Sequence, residues 1–347
     1  MKQRFYSAFR HHPVIATELA IVAAVAFVVL SGQALGWARW QLFALRIDGA
    51  SAQSDATPAR VASWSFAFRD RAVTLRVPIS LDELDAARGV DTSAMFAASG
   101  SLRSHYVSRV VRAQSRSAFI GSLADELRRV RRERGLDDDE YLELIARSVQ
   151  SLRYDTVGRR VSLPVEVVAS GSGVCSEKAL LLAAIMLHEG YQTGMWVFDS
   201  QGHVALAVGS DGAQFRDSGY SFIETTRMAY VGEYDVAFRA AGPLCRPPQF
   251  IALGGTRRYH AGEEVEFILQ ELAVAQKKAG SPSNRPVVTQ ATLRQWPERF
   301  TMLAAQEEAA RRLASYIRGQ TDNRQAVFEW LLRAATEAAQ TRPAFLH

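Results

Sequence analysis

Hydrophobic and polar positions change period several times along this chain, and each change marks an element. From Val14 to Ser31 the run VIATELAIVAAVAFVVLS carries Glu18 as its single charge. Extended to Trp37 it is about 36 Å long as a helix, enough to cross a hydrocarbon core of about 30 Å. Residues 48–60 are small and polar and read as a linker. Trp64–Phe68 and Val73–Val77 then alternate with period two around Arg69-Asp70-Arg71, which predicts a β-hairpin. Residues 80–134 are mostly helical in pattern, and Leu142, Ile145, Ala146 and Val149 form the stripe of a further helix opened by Asp137-Asp138-Asp139-Glu140. Ala179–Leu187 is apolar on every side and predicts a buried helix that starts at Cys175 and ends at Gly190. His203–Val208 alternates again and predicts a strand, with Gln214–Arg216 and Tyr220–Ile223 as the next strands beyond the Gly209–Gly212 turn. Glu263–Lys278 is an amphipathic helix, and two more follow at about 298–318 and 322–340, split at Gly319.

These elements make an α+β chain. The expected organisation is a cytoplasmic N-terminus and transmembrane helix over 1–37, a linker over 38–60, an α+β domain over 61–260 and a helical region over 261–347. Lys2, Arg4 and Arg10 precede the apolar run, which places the N-terminus in the cytoplasm and the body outside it, on the periplasmic face of the inner membrane. A cleaved signal peptide, cut after Ala34, is the rival reading, and it exports the body just as well.

Charge and composition exclude several functions. The net charge is +5, and four of the 41 basic residues are lysines. Nine arginines lie between Arg103 and Arg134. Asp125, Glu126 and Glu133 interrupt them and no aromatics are interleaved, so they read as a solvated helix face with no nucleic-acid partner. The motifs of metal, nucleotide and calcium sites are missing, so neither a metal nor a cofactor is expected. The two cysteines, Cys175 and Cys245, are too few for a disulfide scaffold. Cys245, in PLCRPP, has no base nearby in sequence and reads as a packed or exposed thiol.

Candidate chemistry gathers between residues 170 and 226. SGSGVCSEKALLL places Cys175 in the first turn of the buried helix, where unpaired N–H groups and the helix dipole lower a thiol pKa and sit where an oxyanion would form. A thiolate nucleophile needs a base, and His203 follows 28 residues later at the start of a strand. The next strands lead to Glu224, which would orient the imidazole. Asp217, 14 residues after the histidine, is the other candidate for the acid, although Asp217-Ser218-Gly219 has the composition of a turn. His188, near the end of the buried helix, reads as a cap residue.

GVC opening a buried helix, GHVALAV as a strand and FIETT after it together resemble the transglutaminase-like superfamily, a papain-related α+β fold. VQSLRY at 149–154 and LPVEV at 163–167 resemble the run-up to the cysteine in its prokaryotic members. The resemblance spans roughly residues 60–235. It implies a helix bearing Cys175 packed on an antiparallel sheet bearing His203 and the acid. Where the superfamily often has Asp-Pro-Thr, this chain has Glu224-Thr225-Thr226, and Val204-Ala205 stand where an aromatic residue often follows the histidine. The resemblance implies a cysteine peptidase or amidase working through an acyl-enzyme on a protein or peptide of the cell envelope. Transfer of the acyl group to an amine, as in a cross-linking transglutaminase, uses the same relay. A third reading is a scaffold with a decayed relay, meeting an envelope partner through its C-terminal helices.

Overall fold

The structure is a computed structural model that describes residues 60–93, 95–97, 100–155, 160–234, 247–278 and 307–340. The expected membrane helix, nearly all of the linker that follows it, and Cys245 lie outside the described residues. Among those described, no helix is long and apolar enough to cross a membrane.

The N-terminal hairpin pairs β1 (Arg60–Phe68) with β2 (Arg71–Ile79) in antiparallel register, Trp64 opposite Leu75. Its turn uses Arg69 and Asp70, both at positive φ. Phe66, Phe68, Val73, Leu75 and Val77 share the inward face and are buried, as a period-two pattern requires. Helices α1 (Leu81–Arg88), α2 (Gly100–Gln114), α3 (Ala118–Arg134) and α4 (Asp138–Gln150) follow. Ser117 caps α3 by accepting from Ile120 N, and the arginines of the last turn suit the helix dipole. Several of the α3 arginines are paired: Arg129 with Glu126 and Glu133 and Arg128 with Asp125 on the same helix, and Arg128 also with Glu189 elsewhere in the fold. Asp137 and Glu140 form a reciprocal capping box at the start of α4.

A short parallel pair, β3 (Arg153–Tyr154) with β4 (Ser172–Gly173), brackets α5 (Pro164–Ser170). Next comes α6 (Cys175–His188), whose residues from Ala179 to Met186 are at most 1% exposed. It packs against α2, α3, α4, α5, β5 and β6, so no face of it is left for solvent. The main sheet is antiparallel in the order β7–β6–β5–β8, with β5 (Thr193–Phe198), β6 (His203–Gly209), β7 (Tyr220–Ile223) and β8 (Gln249–Gly254). His203 is the first residue of β6, opposite Phe198 at the end of β5. The expected strand at Gln214–Arg216 is a 3-10 turn over Phe215–Asp217, with a single bridge from Gln214 to Ser221. Ala213, Arg216 and Asp217 all have positive φ, and Ser210 N donates to Gly219 O, so the excursion closes too tightly to extend.

Helices α7 (Gly262–Lys278), α8 (Glu307–Gly319) and α9 (Arg324–Gln340) pack together. The corner between α8 and α9 lies against the main core. Tyr230 Oη donates to Ile317 O at 2.6 Å and Gln320 O at 3.0 Å, supplying partners for carbonyls at the end of α8. Arg324 is buried and pairs with Glu143 of α4 and Glu264 of α7.

Two glycines test this packing. A Cβ on Gly255, at φ +84°, would sit 1.9 Å from Tyr191 O, whereas one on Gly135, at φ +64°, meets nothing within 4 Å. Gly255→Ala should cost about 3 kcal/mol or more, from backbone strain plus overpacking, and Gly135→Ala about 1. Denaturant unfolding of both variants measures the gap, and equal losses would mean the close approach at Gly255 is absent.

Candidate active site

Three chain segments meet at the N-terminal end of α6. Gly173 precedes the helix, and a Cβ there would meet Glu177 Oε2 at 3.1 Å, so the residue allows the carboxylate to fold back over the turn. Glu177 Oε2 accepts from Val174 N at 3.0 Å and its Oε1 from Ser162 N at 2.8 Å. With Val174 so held, Cys175 opens the helix and its side chain is largely buried. Sγ lies 3.9 Å from Gly202 O, which sets the thiol against the start of β6. Gly202 has φ +58° and turns the chain sharply into His203.

His203 stands between two acids. Its Nε2 is 3.2 Å from Glu224 Oε2, an ion-pair distance with an angle that is not that of a straight hydrogen bond. The ring also interacts with the Cys175 thiol. Glu224 is itself fixed by its other oxygen: Oε1 accepts from Thr225 N, Thr226 N and Thr226 Oγ1, each at 2.8 Å. The structure therefore brings Cys175, His203 and Glu224 together. Asp217 is exposed in the 3-10 turn and is not the acid beside the histidine. His188 Nδ1 lies 2.8 Å from Ser115 O, a packing contact near the far end of α6.

The electrostatics follow from this placement. Burial alone would push the Cys175 thiol up, but His203 and the backbone N–H groups of Val204 and Ser176 outweigh it and hold the thiol below its ordinary value. Burial alone would pull the imidazole down; Cys175 and Glu224 on its two sides raise it to about 9. Burial would raise Glu224, yet His203 and the Thr226 donors lower it to about 2. The arrangement shifts the thiol toward thiolate while the ring keeps its proton and Glu224 its charge, the three titrating as a coupled group.

The supporting residues carry weaker sequence signals. Gln150, at the end of α4, donates from Nε2 to Glu224 O at 2.9 Å and to Ala229 O at 3.1 Å, so it fastens both ends of the segment bearing the acid. Lys178 is fully buried one turn past the cysteine, and its signal was a charge at the head of an otherwise apolar helix. Tyr154, at 46% exposure, lies within the field of the site: burial first, then Cys175 and Glu224, push its phenol up. It is an exposed ring on β3, paired with Gly173 of the short strand that leads into Cys175. Among the described residues, no cluster of histidine, cysteine and carboxylate side chains is arranged to hold a metal ion.

The pKa directions fix the sign of a pH test. Iodoacetamide should alkylate Cys175 at a lower pH than it does an ordinary thiol, because the thiolate forms earlier. The imidazolium should persist to about pH 9 and then lose its proton. Glu224→Gln removes a negative neighbour, so the imidazole pKa should fall toward 6.5 and the thiol rise. Reaction at pH 6.5 should then slow about tenfold or more. An unchanged profile in that variant would remove Glu224 from the relay.

Comparison of the chain with protein-family models, with curated proteins and with solved structures gives no match.

Proposed function

We propose that this protein is a membrane-anchored, extracytoplasmic cysteine hydrolase of transglutaminase-like type, acting on amide bonds of a protein or peptide in the cell envelope. The observation that carries this reading is His203, half-buried with Cys175 on one side and Glu224 Oε2 at 3.2 Å on the other. A core strand histidine with a structural role has no need of a thiol at a helix start. A relay that had decayed would not be expected to keep four contacts on its acid. The Cys-bearing helix and the antiparallel sheet bearing His203 support the papain-related reading of the fold.

The chemistry proceeds from the charges at rest. The Cys175 thiolate attacks the amide carbonyl carbon, and the C=O electron pair moves onto oxygen. The N–H of Cys175, one of the four at the start of α6 that no helix carbonyl takes, is a donor for that oxyanion. The imidazolium gives its proton to the amine as the C–N bond breaks, leaving a thioester and a neutral imidazole. Glu224 holds the ring in place through both steps. The imidazole then takes a proton from water, hydroxide adds to the thioester, and the acid product leaves as the thiolate and imidazolium return. Tyr154, paired with Gly173 just ahead of the nucleophile, offers an exposed aromatic surface for the substrate.

Cleavage of a fluorogenic peptide library by the purified protein should fall about 10⁴-fold in Cys175→Ala and in His203→Ala, with a smaller loss in Glu224→Gln. Full activity in Cys175→Ala would sink the proposal. Incorporation of a fluorescent amine into glutamine-bearing casein, without net cleavage, would replace hydrolysis by acyl transfer at the same cysteine.

A further inference from the structure

We propose that Lys178 is a positioning residue of this site: a buried cation that fixes the segment carrying Glu224 through Gln150 and balances the negative charge left over by the relay. The proposal rests on the reading of Cys175, His203 and Glu224 given above.

Lys178 is 0% exposed, among the largest side chains the protein buries completely. Its Nζ donates to Leu152 O at 2.8 Å and to Gln150 O at 3.2 Å, carbonyls at the C-terminal end of α4. The side chain of the same Gln150 donates to Glu224 O and Ala229 O. One connected path therefore runs from the helix that carries the nucleophile, through the end of α4, to the backbone of the acid.

Capping those carbonyls does not account for the charge. A neutral donor would satisfy them without removing an ammonium from water, which is costly. A cation in the first turns of α6 also opposes the helix dipole. Glu177, its neighbour in sequence, turns away to Ser162 N and Val174 N. Among the described residues Lys178 forms no ion pair, and the carboxylate whose field acts on it is Glu224. On its own helix the titratable groups nearby in sequence are Cys175 and Glu177; the α4 end presents carbonyl oxygens.

Charge counting gives the ammonium a role. Thiolate, imidazolium and Glu224 carboxylate sum to −1, and Lys178 brings the buried group to zero. Burial pulls the ammonium down to about 8 while Glu224 resists, so it is still charged at neutral pH.

Lys178→Gln keeps a hydrogen-bond donor near the carbonyls and removes the charge. Its iodoacetamide profile, measured on the full chain, should show the Cys175 midpoint shifted up by about one pH unit, so that alkylation below the midpoint is about tenfold slower. A cap alone would lower the melting temperature and leave the midpoint where it is, and that result overturns the proposal. Should the variant fail to fold, the reciprocal coupling is read in folded protein. With only four lysines in the chain, the ¹³Cε resonance of Lys178 can be titrated in wild type and in Cys175→Ser. Loss of the thiolate should lower the Lys178 midpoint, and identical midpoints overturn the proposal. A wild-type Cys175 that titrates as an ordinary thiol near 8.5 defeats the relay itself and this proposal with it. An activated wild-type thiol with an unshifted Lys178→Gln profile defeats Lys178 alone.

Discussion

Removing an imidazole from water favours its neutral form, and His203 holds its proton only because negative charge faces it from two directions. That requirement is geometric before it is chemical. The first residue of α6 and the first residue of β6 must be held within reach of one another, and a carboxylate must stand behind the ring. Coulomb attraction in a poorly hydrated site is strong, yet it falls away once solvent enters. The rest of the fold can be understood as what keeps those three groups at fixed separations.

Two kinds of packing do this. The helix bearing Cys175 is close-packed by helices and strands along its apolar stretch from Ala179 to Met186, which resists rotation and translation. The acid lies just past the end of β7, where the sheet no longer fixes the backbone, and polar contacts take over. Gln150 ties Glu224 O to Ala229 O, and the Thr225 and Thr226 donors fix the carboxylate itself. One residue further on, Tyr230 is tied to the α8–α9 corner, while Arg318 and Arg227 both pair with Glu233.

The elements nearest the site were legible in the sequence because their signals are local. A continuous apolar run beginning at Cys175 has one sensible burial, and the alternation from His203 has one sensible register. The hairpin at 60–79 was legible for the same reason. The choice between Glu224 and Asp217 depended on how tightly the chain turns after Ser210, and three residues at positive φ are invisible in an alternation pattern. Gln150 and Lys178 were harder still. Their importance comes from contacts across more than 20 positions of sequence, and a lone amide or ammonium carries no periodicity. The arginine-rich α3 shows the opposite case: a conspicuous composition with an ordinary explanation, side chains paired with carboxylates on the same helix and its neighbours.

The hydroxyl of Tyr230 has a consequence in time. Its acceptors, Ile317 O and Gln320 O, come 87 and 90 positions later in the chain. A ribosome makes Cys175 and His203 long before it makes the residues that anchor the segment behind them. The nascent protein thus carries its thiol through synthesis with the acid's outer support still missing. The α8–α9 corner is therefore a late fastening, closed onto Tyr230 only once Ile317 and Gln320 have been made.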